Sequence, residues 1–467
     1  MKQVAIIGGG IAGLSAAYYL ERARQNGASL EWALFEKSNR VGGVIRTDHR
    51  DGFVLEAGPD SFLTAKPEAA QLCRELGIGD QLIGSNDAQR KTYIVLKERL
   101  VAIPAGLEFM VPTRLWPMVG TSLFSFSAKV RMLRETKLRN MGPSAQQDES
   151  VAAFVRRHFG QEVVDRVAEP LLAGVYGGDP EQLSVSAVLP RFVEMERGHG
   201  SLVRATFAAR KQRSQSGASP QPLFTSLRQG MQQIVEALLT ALPASGVLTG
   251  QDVSLTRADN AWQVATGQGS HQFDELLLAV PAPAASALLT PSLPELGAML
   301  GAIPYTSSAT VLLAFDHAEL PPGFGFLVPR NEGRKMLACT FLHRKFPHRV
   351  PEGSALLRCF FSSSRVRRMS GYSEAALLDV AQRELQEMIS LTAIPRFARV
   401  FQSEYALPQY EVGHPERVAK MEELLAGLPG THIIGNSFYG VGIPDCIKSA
   451  RRAVEKITSA ALQPASV

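Results

Sequence analysis

Two rhythms of apolar residues alternate along this chain. Val4-Ala5-Ile6-Ile7 is a short unbroken apolar run, the pattern of a strand buried on both faces of a parallel sheet. Residues 14–24 then show helical spacing, with Ala16, Ala17 and Leu20 free to pack on that sheet. Residues 30–35 return to a strand pattern and end at Glu36. From about residue 90 the character changes. Strand-like residues 92–96 give way to proline-punctuated apolar sequence and then to helical stretches up to about residue 210. Residues 211–222 (KQRSQSGASPQP) are polar and read as an exposed loop or a crossing between domains. Residues 231–242 form an amphipathic pattern, followed by strand candidates at 251–255, 262–265 and 275–280. One long helix is expected at 375–391 and a final one at 446–458. No repeat of fixed period is present.

The first strand and helix are joined by Gly8-Gly9-Gly10-Ile11-Ala12-Gly13. In a Gly-x-Gly-x-x-Gly turn the first glycine allows the tight bend. The second lets a pyrophosphate approach the backbone, and the third lets helix and strand pack closely. The helix start offers free N–H groups to the phosphate. Glu36, at the end of the second strand, is placed to accept from ribose hydroxyls, with Lys37 beside it. The strand–turn–helix–strand–acid order therefore reads as a Rossmann-type dinucleotide site. A second glycine pair, Gly42-Gly43, and the strand ending Glu56-Ala57-Gly58-Pro59-Asp60-Ser61 suit an extended cofactor, and select FAD over NAD. Near the C-terminus, Tyr439-Gly440-Val441-Gly442-Ile443-Pro444-Asp445 is a glycine turn feeding a helix, able to present N–H groups to a flavin edge.

Composition narrows the field. The chain has 467 residues, 45% hydrophobic and 20% charged, which suits two or three soluble domains. Lys and Arg total 49 against 44 Asp and Glu, a net charge of +5. That mild excess fits an acidic small molecule or an anionic membrane surface. No basic cluster with stacking aromatics argues for nucleic acid. Cys73, Cys339, Cys359 and Cys446 form no CxxC pair, as expected of a reducing cytosol. The nine histidines show no ligand spacing, so no metal is expected. The apolar stretch 115–128 is too short and too interrupted to span a membrane.

The segments GGGIAGLSAAYYL, FEKSNRVGG, EAGPDSF, LRQGMQQIVEAL and GNSFYGVGIPDCI resemble those of the FAD-dependent porphyrinogen oxidases of haem synthesis, within the flavin amine oxidase superfamily. The middle segment, from Arg157-His158-Phe159-Gly160 through Glu169-Pro170 to Gly177-Gly178-Asp179-Pro180, is the most particular part of the likeness. The resemblance implies that Gly8 to Gly13 hold the pyrophosphate and Glu36 the ribose. It implies that Val44 and Gly58-Pro59-Asp60-Ser61 line the cofactor, that Val253 meets the adenine end, and that Val441, Gly442 and Ile443 meet the isoalloxazine. Gly174 would offer its backbone to the tetrapyrrole, with Leu327 and Phe360 as apolar walls.

Three positions depart from the family pattern: Thr92 where an arginine pairs with a substrate propionate, Thr340 where a leucine packs the substrate, and Ser403 where a tryptophan borders the flavin. The ending GVGIPDC resembles the branch that oxidises coproporphyrinogen III more than the mitochondrial branch. The resemblance implies removal of six electrons through FAD, with O2 reduced to H2O2. No acid–base pair is assignable, so no catalytic side chain is named.

Lys129, Arg131, Arg134, Lys137 and Arg139 are candidate cations for propionates, or a solvated helix face. Residues 104–126 are either core of a helical domain or a peripheral membrane contact. The resemblance further implies handover of product to a ferrochelatase-type enzyme, and a cytoplasmic location, at most peripheral on the inner membrane face. Two other readings stay open: another flavin amine oxidase or desaturase, and a non-catalytic flavin-binding partner protein. The expected fold is α/β. It has a discontinuous Rossmann-type FAD-binding domain (1–94, 223–290, 406–467), a helical domain (95–215) and a mixed-sheet substrate domain (300–405).

Overall fold

In the computed structural model, which describes residues 1–114, 116–138, 148–215, 221–366 and 372–461, the strand Lys2–Ile7 is the centre of a five-stranded sheet. The order is Val247–Leu248, Leu30–Phe35, Lys2–Ile7, Glu275–Leu278, Thr431–Ile433, and every pairing is parallel. Side chains alternate between two cores, as the strand period of two requires. Val4 and Ile6 pack with Leu14, Ala17 and Leu20 of the helix Ile11–Gln25, and with the helices Gln232–Ala241 and Ile443–Ala461. Ala5 and Ile7 face the opposite core, built on Trp262, Leu276, Leu278 and the helices Ala282–Leu289 and Pro294–Gly301. Both faces are thus covered, which is why the strands carry so few polar residues. The strand expected at 251–255 begins only at Ser254. It forms an antiparallel three-stranded meander with Ala261–Thr266 and Gly269–Phe273, outside the parallel sheet.

A seven-stranded mixed sheet forms the second body. Its order is Phe397–Pro408, Tyr305–Phe315, Ala355–Ser362, Ala338–Phe341, Gly325–Leu327, Thr92–Leu96, Arg99–Ala102. The expected domain boundary at residue 94 falls inside the strand Thr92–Leu96, which does not join the five-stranded sheet. The strand lies instead in the seven-stranded sheet, parallel to Gly325–Leu327 and antiparallel to Arg99–Ala102. Its alternation explains the placement: Tyr93 and Val95 join the core under the helix Glu374–Ile389, while Ile94 turns to the other face. That core also holds Phe326, Cys339, Phe341, Cys359 and Phe361.

A helical layer packs against the Ile94–Leu327 face of the seven-stranded sheet, including Phe126–Glu135, Val151–Phe159, Glu169–Tyr176, Pro190–His199 and Leu202–Gln215. Serine hydroxyls cap several helix starts: Ser125 accepts from the Ala128 amide, Ser150 from Ala153 and Ser184 from Ala187. The loop expected from residue 211 starts later, because the last helix runs to Gln215. Lys211, Gln212 and Arg213 are good helix formers, and the first breaker is Gly217. Residues 104–126 are buried in part. Met110, Val111, Met118, Leu123 and Phe124 are buried in the helical core, whereas Trp116, Val119 and Phe126 are exposed. Arg139 lies outside the described residues.

Candidate functional site

The glycine turn after the first strand is shaped by what surrounds each glycine. A Cβ on Gly13 would lie 1.9 Å from the Gly8 carbonyl oxygen, so helix and turn meet there with no room for a side chain. Gly8 has φ +106°, and its Cβ would lie 2.7 Å from the Ala279 oxygen. A Cβ on Gly10 would meet nothing within 4 Å. Gly10 is also the N-cap of the helix Ile11–Gln25, and no side chain caps that helix. Free N–H groups therefore face open space beside an uncrowded backbone, the cradle a pyrophosphate needs. Glu36 organises the neighbourhood: Oε2 accepts from the Gly9 amide at 2.7 Å and Oε1 from the Ser38 amide and hydroxyl at 2.8 Å. Lys37 lies on the surface, 3.0 Å from Asp252. Val253 is half-buried, two residues beyond Gln251, whose amide donates to the Glu36 carbonyl at 2.9 Å.

From Gly10 a backbone track leads towards the second sheet. The Gly42 amide donates to the Gly9 carbonyl at 2.8 Å, and a Cβ on Gly43 would lie 3.3 Å from Gly10 Cα. Arg40 ties this turn by donating to the Gly43 carbonyl at 2.6 Å. Gly58 packs so closely on this turn that its Cβ would lie 1.9 Å from the Val44 oxygen. Val44 itself is exposed. Pro59, Asp60 and Ser61 continue the turn, half-buried. Asp60 lies 3.2 Å from Lys345 Nζ and 2.7 Å from the Ser61 hydroxyl. Burial alone would raise its pKa, but the Lys345 and Arg358 charges hold it well below the usual carboxylate range.

The C-terminal turn comes from the opposite side. The Tyr410 hydroxyl accepts from the Gly440 amide at 2.9 Å and donates to the Asn436 carbonyl. Its ring stacks on His414 with centroids 4.2 Å apart. Burial pushes the His414 pKa down to about 4, so this ring is neutral and its stacking does not vary near pH 7. The Gly442 amide donates to Asp445, which also holds Lys66 at 2.7 Å and so ties the turn to the chain after Ser61. Val441 is half-buried against the helical core, and Ile443 is buried in the nucleotide-binding core.

The expected substrate residues come together across the seven-stranded sheet. One cross-strand row runs Ile94, Leu327, Ala338, Phe360, Thr310, and the next runs Thr92, Gly325, Thr340, Arg358. Paired residues share a face, and so do alternate residues along a strand. Thr92, Leu327, Thr340 and Phe360 therefore share one side of the sheet, opposite the Cys339–Phe326–Tyr93 core. Gly174, on the helix Glu169–Tyr176, closes on this face: a Cβ there would lie 3.7 Å from Leu327. Ala173, Leu327, Leu337, Ala338 and Phe360 make one small apolar cluster. Ser403 reaches the same region in register with Ser308, which is in turn opposite Ser362. Two of the candidate cations are engaged elsewhere. Lys129 donates to the Val119 and Thr121 carbonyls, and Arg131 to that of Arg156. The residues that sequence reasoning missed are Lys345 and Arg358. A signal was there: Arg358 interrupts the apolar strand Ala355–Ser362.

A Cβ-free cradle, a carboxylate at the second strand end and a continuous backbone track fit an FAD molecule laid from Gly10 towards the second sheet. A model of the flavin-containing amine oxidoreductases matches residues 11–458. This chain belongs to that family. It is an FAD-dependent oxidoreductase with the family's two-sheet architecture. It is 35% identical to the coproporphyrinogen III oxidase of Bacillus subtilis, over 97% of either chain. It is 30% identical to the protoporphyrinogen oxidase of Macaca fascicularis, over 98% of either chain. A solved Exiguobacterium structure, provisionally named protoporphyrinogen oxidase, superposes with a TM-score of 0.86 at 31% identity, over 98% of this chain and 99% of that one. Cyclohexylamine oxidase from Brevibacterium oxydans shares the fold, with a TM-score of 0.70 at 16% identity. Among the described residues, no helix of this flavoprotein is long and apolar enough to cross a membrane, and no group of side chains is placed to hold a metal.

Proposed function

We propose that the protein oxidises coproporphyrinogen III to coproporphyrin III, with three O2 reduced to three H2O2 as six electrons and six protons leave the macrocycle. The observation that carries this is the apolar face of Leu327, Ala338 and Phe360 beside Gly174, at the end of the backbone track that begins at Gly10. The choice of substrate within the porphyrinogens is supported by the B. subtilis relative and by the 31% identical Staphylococcus aureus coproporphyrinogen III oxidase. Thr92 supports it too, since no arginine stands there for a two-propionate substrate.

When bound, FAD supplies the hydride acceptor and returns the electrons to O2. The chain's own residues bind, orient and exclude water. Gly8 to Gly13 hold the pyrophosphate and Glu36 the ribose. Val44 and Gly58 to Ser61 flank the flavin on one side, and Val441, Gly442 and Ile443 on the other. A flat, largely apolar macrocycle suits the slot formed by Leu327, Phe360 and the Gly174 backbone. Arg358 lies over the Phe360 ring at 4.8 Å and so fixes the ring's orientation. The two cross-strand rows contain no carboxylate and no imidazole, so neither row offers a base to the macrocycle.

A second surface concerns location. Trp116, Val119 and Phe126 are 87%, 66% and 81% exposed; Phe126 opens the helix Phe126–Glu135, whose Lys129 donates to the Val119 carbonyl. Exposed aromatics next to basic residues suit the boundary of an anionic bilayer.

The test is porphyrin fluorescence from purified holoenzyme given each porphyrinogen separately in air. Faster coproporphyrin formation, with about three H2O2 per porphyrin as six-electron chemistry requires, supports the reading. A preference for protoporphyrinogen IX overturns the substrate assignment. Neither product above autoxidation overturns the whole reading. Co-sedimentation with anionic vesicles, lost in Trp116→Ala, tests the surface.

A further inference from the structure

Five charged side chains are packed together where the second sheet touches the turn at residues 58–61. Glu56 and Arg349 are fully buried and 3.0 Å apart. Asp60 is met by Lys345 at 3.2 Å and by Arg358 at 3.7 Å. Lys345 also donates to the Ser61 hydroxyl at 3.0 Å, and Arg358 donates to the Gly58 carbonyl. Arg349 further donates to the Ser226 hydroxyl and the Leu227 carbonyl, and Glu56 accepts from the Met231 amide and the Thr47 hydroxyl. The side chains of Lys345 and Arg358 are 10% and 5% exposed.

The charges do not balance. Lys345, Arg349 and Arg358 face Glu56 and Asp60, which leaves one buried positive charge in excess. The donors are not exhausted either: Nε of Arg358, and Nε and Nη1 of Arg349, are buried without a hydrogen-bond partner. A buried cation is costly unless an anion answers it. Burial accordingly pulls the pKa values of Lys345 and Arg358 down and pushes that of Glu56 up, and a neutral Glu56 would enlarge the excess. No further carboxylate of this cluster supplies the missing charge. The cluster grips the turn at both ends, at the Gly58 carbonyl and at Ser61. That turn is where the backbone track from Gly10 arrives.

We propose that Lys345 and Arg358, held against the Gly58–Ser61 turn, stabilise the anionic reduced flavin and so favour hydride removal from the substrate. The proposal rests on the reading of that turn as flavin-lining, and it holds for whichever porphyrinogen is oxidised. A dihydroflavin loses its N1 proton near neutral pH, so hydride uptake places a negative charge in the ring system. An excess positive charge that is already desolvated and fixed needs no reorganisation when that charge appears. Lys345 and Arg358 are then positioning residues for charge rather than for shape.

The test uses holoprotein without any porphyrinogen, and so stays independent of the substrate assignment. Sulfite adds to flavin N5 and leaves an anionic ring, so its affinity reads the same stabilisation as the midpoint potential. In Lys345→Gln the expected result is about tenfold weaker sulfite binding and a midpoint potential lower by about 30 mV, the two-electron equivalent of tenfold. Lys345→Arg should restore both. Asp60→Asn raises the excess charge and should move both readouts the opposite way. If Lys345→Gln sheds its flavin, Asp60→Asn and Arg358→Gln decide the matter. Opposite shifts in these two support the proposal. Shifts of the same sign, or none, overturn it.

Discussion

Gly9 and Glu36 are joined by a 2.7 Å hydrogen bond from the Gly9 amide to Oε2, so the acid holds the glycine turn before any ribose reaches it. The other oxygen is taken by Ser38. Glu36 thus shapes the phosphate cradle as well as the nucleoside end. A charge-assisted hydrogen bond of this kind contributes about 1.5–3 kcal/mol. Glu36→Ala is expected to weaken FAD binding by roughly 10- to 100-fold, from that same range. Flavin release on dilution, followed by fluorescence, measures it.

Gly10 and Gly13 should fail in different ways. A side chain at Gly13 would strike the Gly8 carbonyl, so Gly13→Ala is expected to destabilise the fold itself. Overpacking at such a site costs about 1–3 kcal/mol or more. At Gly10 the φ is −70° and the space is open, so Gly10→Val should fold normally yet bind no FAD. Thermal denaturation of the two apoproteins, set beside their flavin content, separates the cases. Equal loss of stability in both would contradict the cradle.

The helical layer carries a pH-dependent knot. His158 is fully buried, with Nδ1 3.0 Å from Glu135 and Nε2 3.1 Å from Glu196. Glu135 also accepts from the Ser201 hydroxyl and the Leu202 amide. Burial alone would lower the histidine pKa, but the two carboxylates carry it above 6.5. Burial alone would raise that of Glu196, but His158 and Arg157 bring it down from 4.5 to about 2. The histidine contribution is full below its unfolded value and lost as pH rises through the raised folded value. The Glu196 contribution is present above 4.5 and lost as pH falls towards about 2. Stability from this knot should therefore be greatest between the two unfolded values and decline on both sides. Removing one partner of a buried pair costs about 3–5 kcal/mol. His158→Ala should show that loss in urea unfolding at pH 6, and should lose the wild-type decline on the alkaline side.

The apolar slot predicts a separation of KM from stability. Gly174→Val adds a side chain in a helix without backbone strain, at ordinary contact distance from Leu327. Thermal stability should hold within about 1 kcal/mol, since the residue is exposed. The KM for porphyrinogen should rise by about tenfold, as loss of 1–2 kcal/mol of contact would give. Phe360→Ala should raise KM as well, and should also lower stability, because Phe360 packs in the cluster with Ala173 and Leu337. Steady-state porphyrin fluorescence and melting curves check both.

Much of the nucleotide-binding half was legible in the chain because its signals are local. An unbroken apolar strand, three glycines at fixed spacing and an acid after the next strand act within one βαβ unit. The structure realises that unit with Gly10 open and Gly13 closed. The family resemblance pointed to Gly174, Leu327 and Phe360, and the structure brings these three together at one face of the second sheet. Their meeting was not deducible from spacing, since it depends on the register of four strands far apart in sequence.

Sequence by itself determined the strand–turn–helix core and the dinucleotide chemistry, because backbone geometry and short-range hydrogen bonds decide those. It drew a domain boundary at residue 94, inside the strand Thr92–Leu96, and it began a loop at residue 211, where the helix runs on to Gln215. Only the tertiary structure decided that Arg358, one charge in an apolar strand, would meet Lys345 and Asp60 at the Gly58 turn. The physical reason is that a buried charge is tolerated only where the fold brings its partners to it, and those partners came from two other segments of the chain.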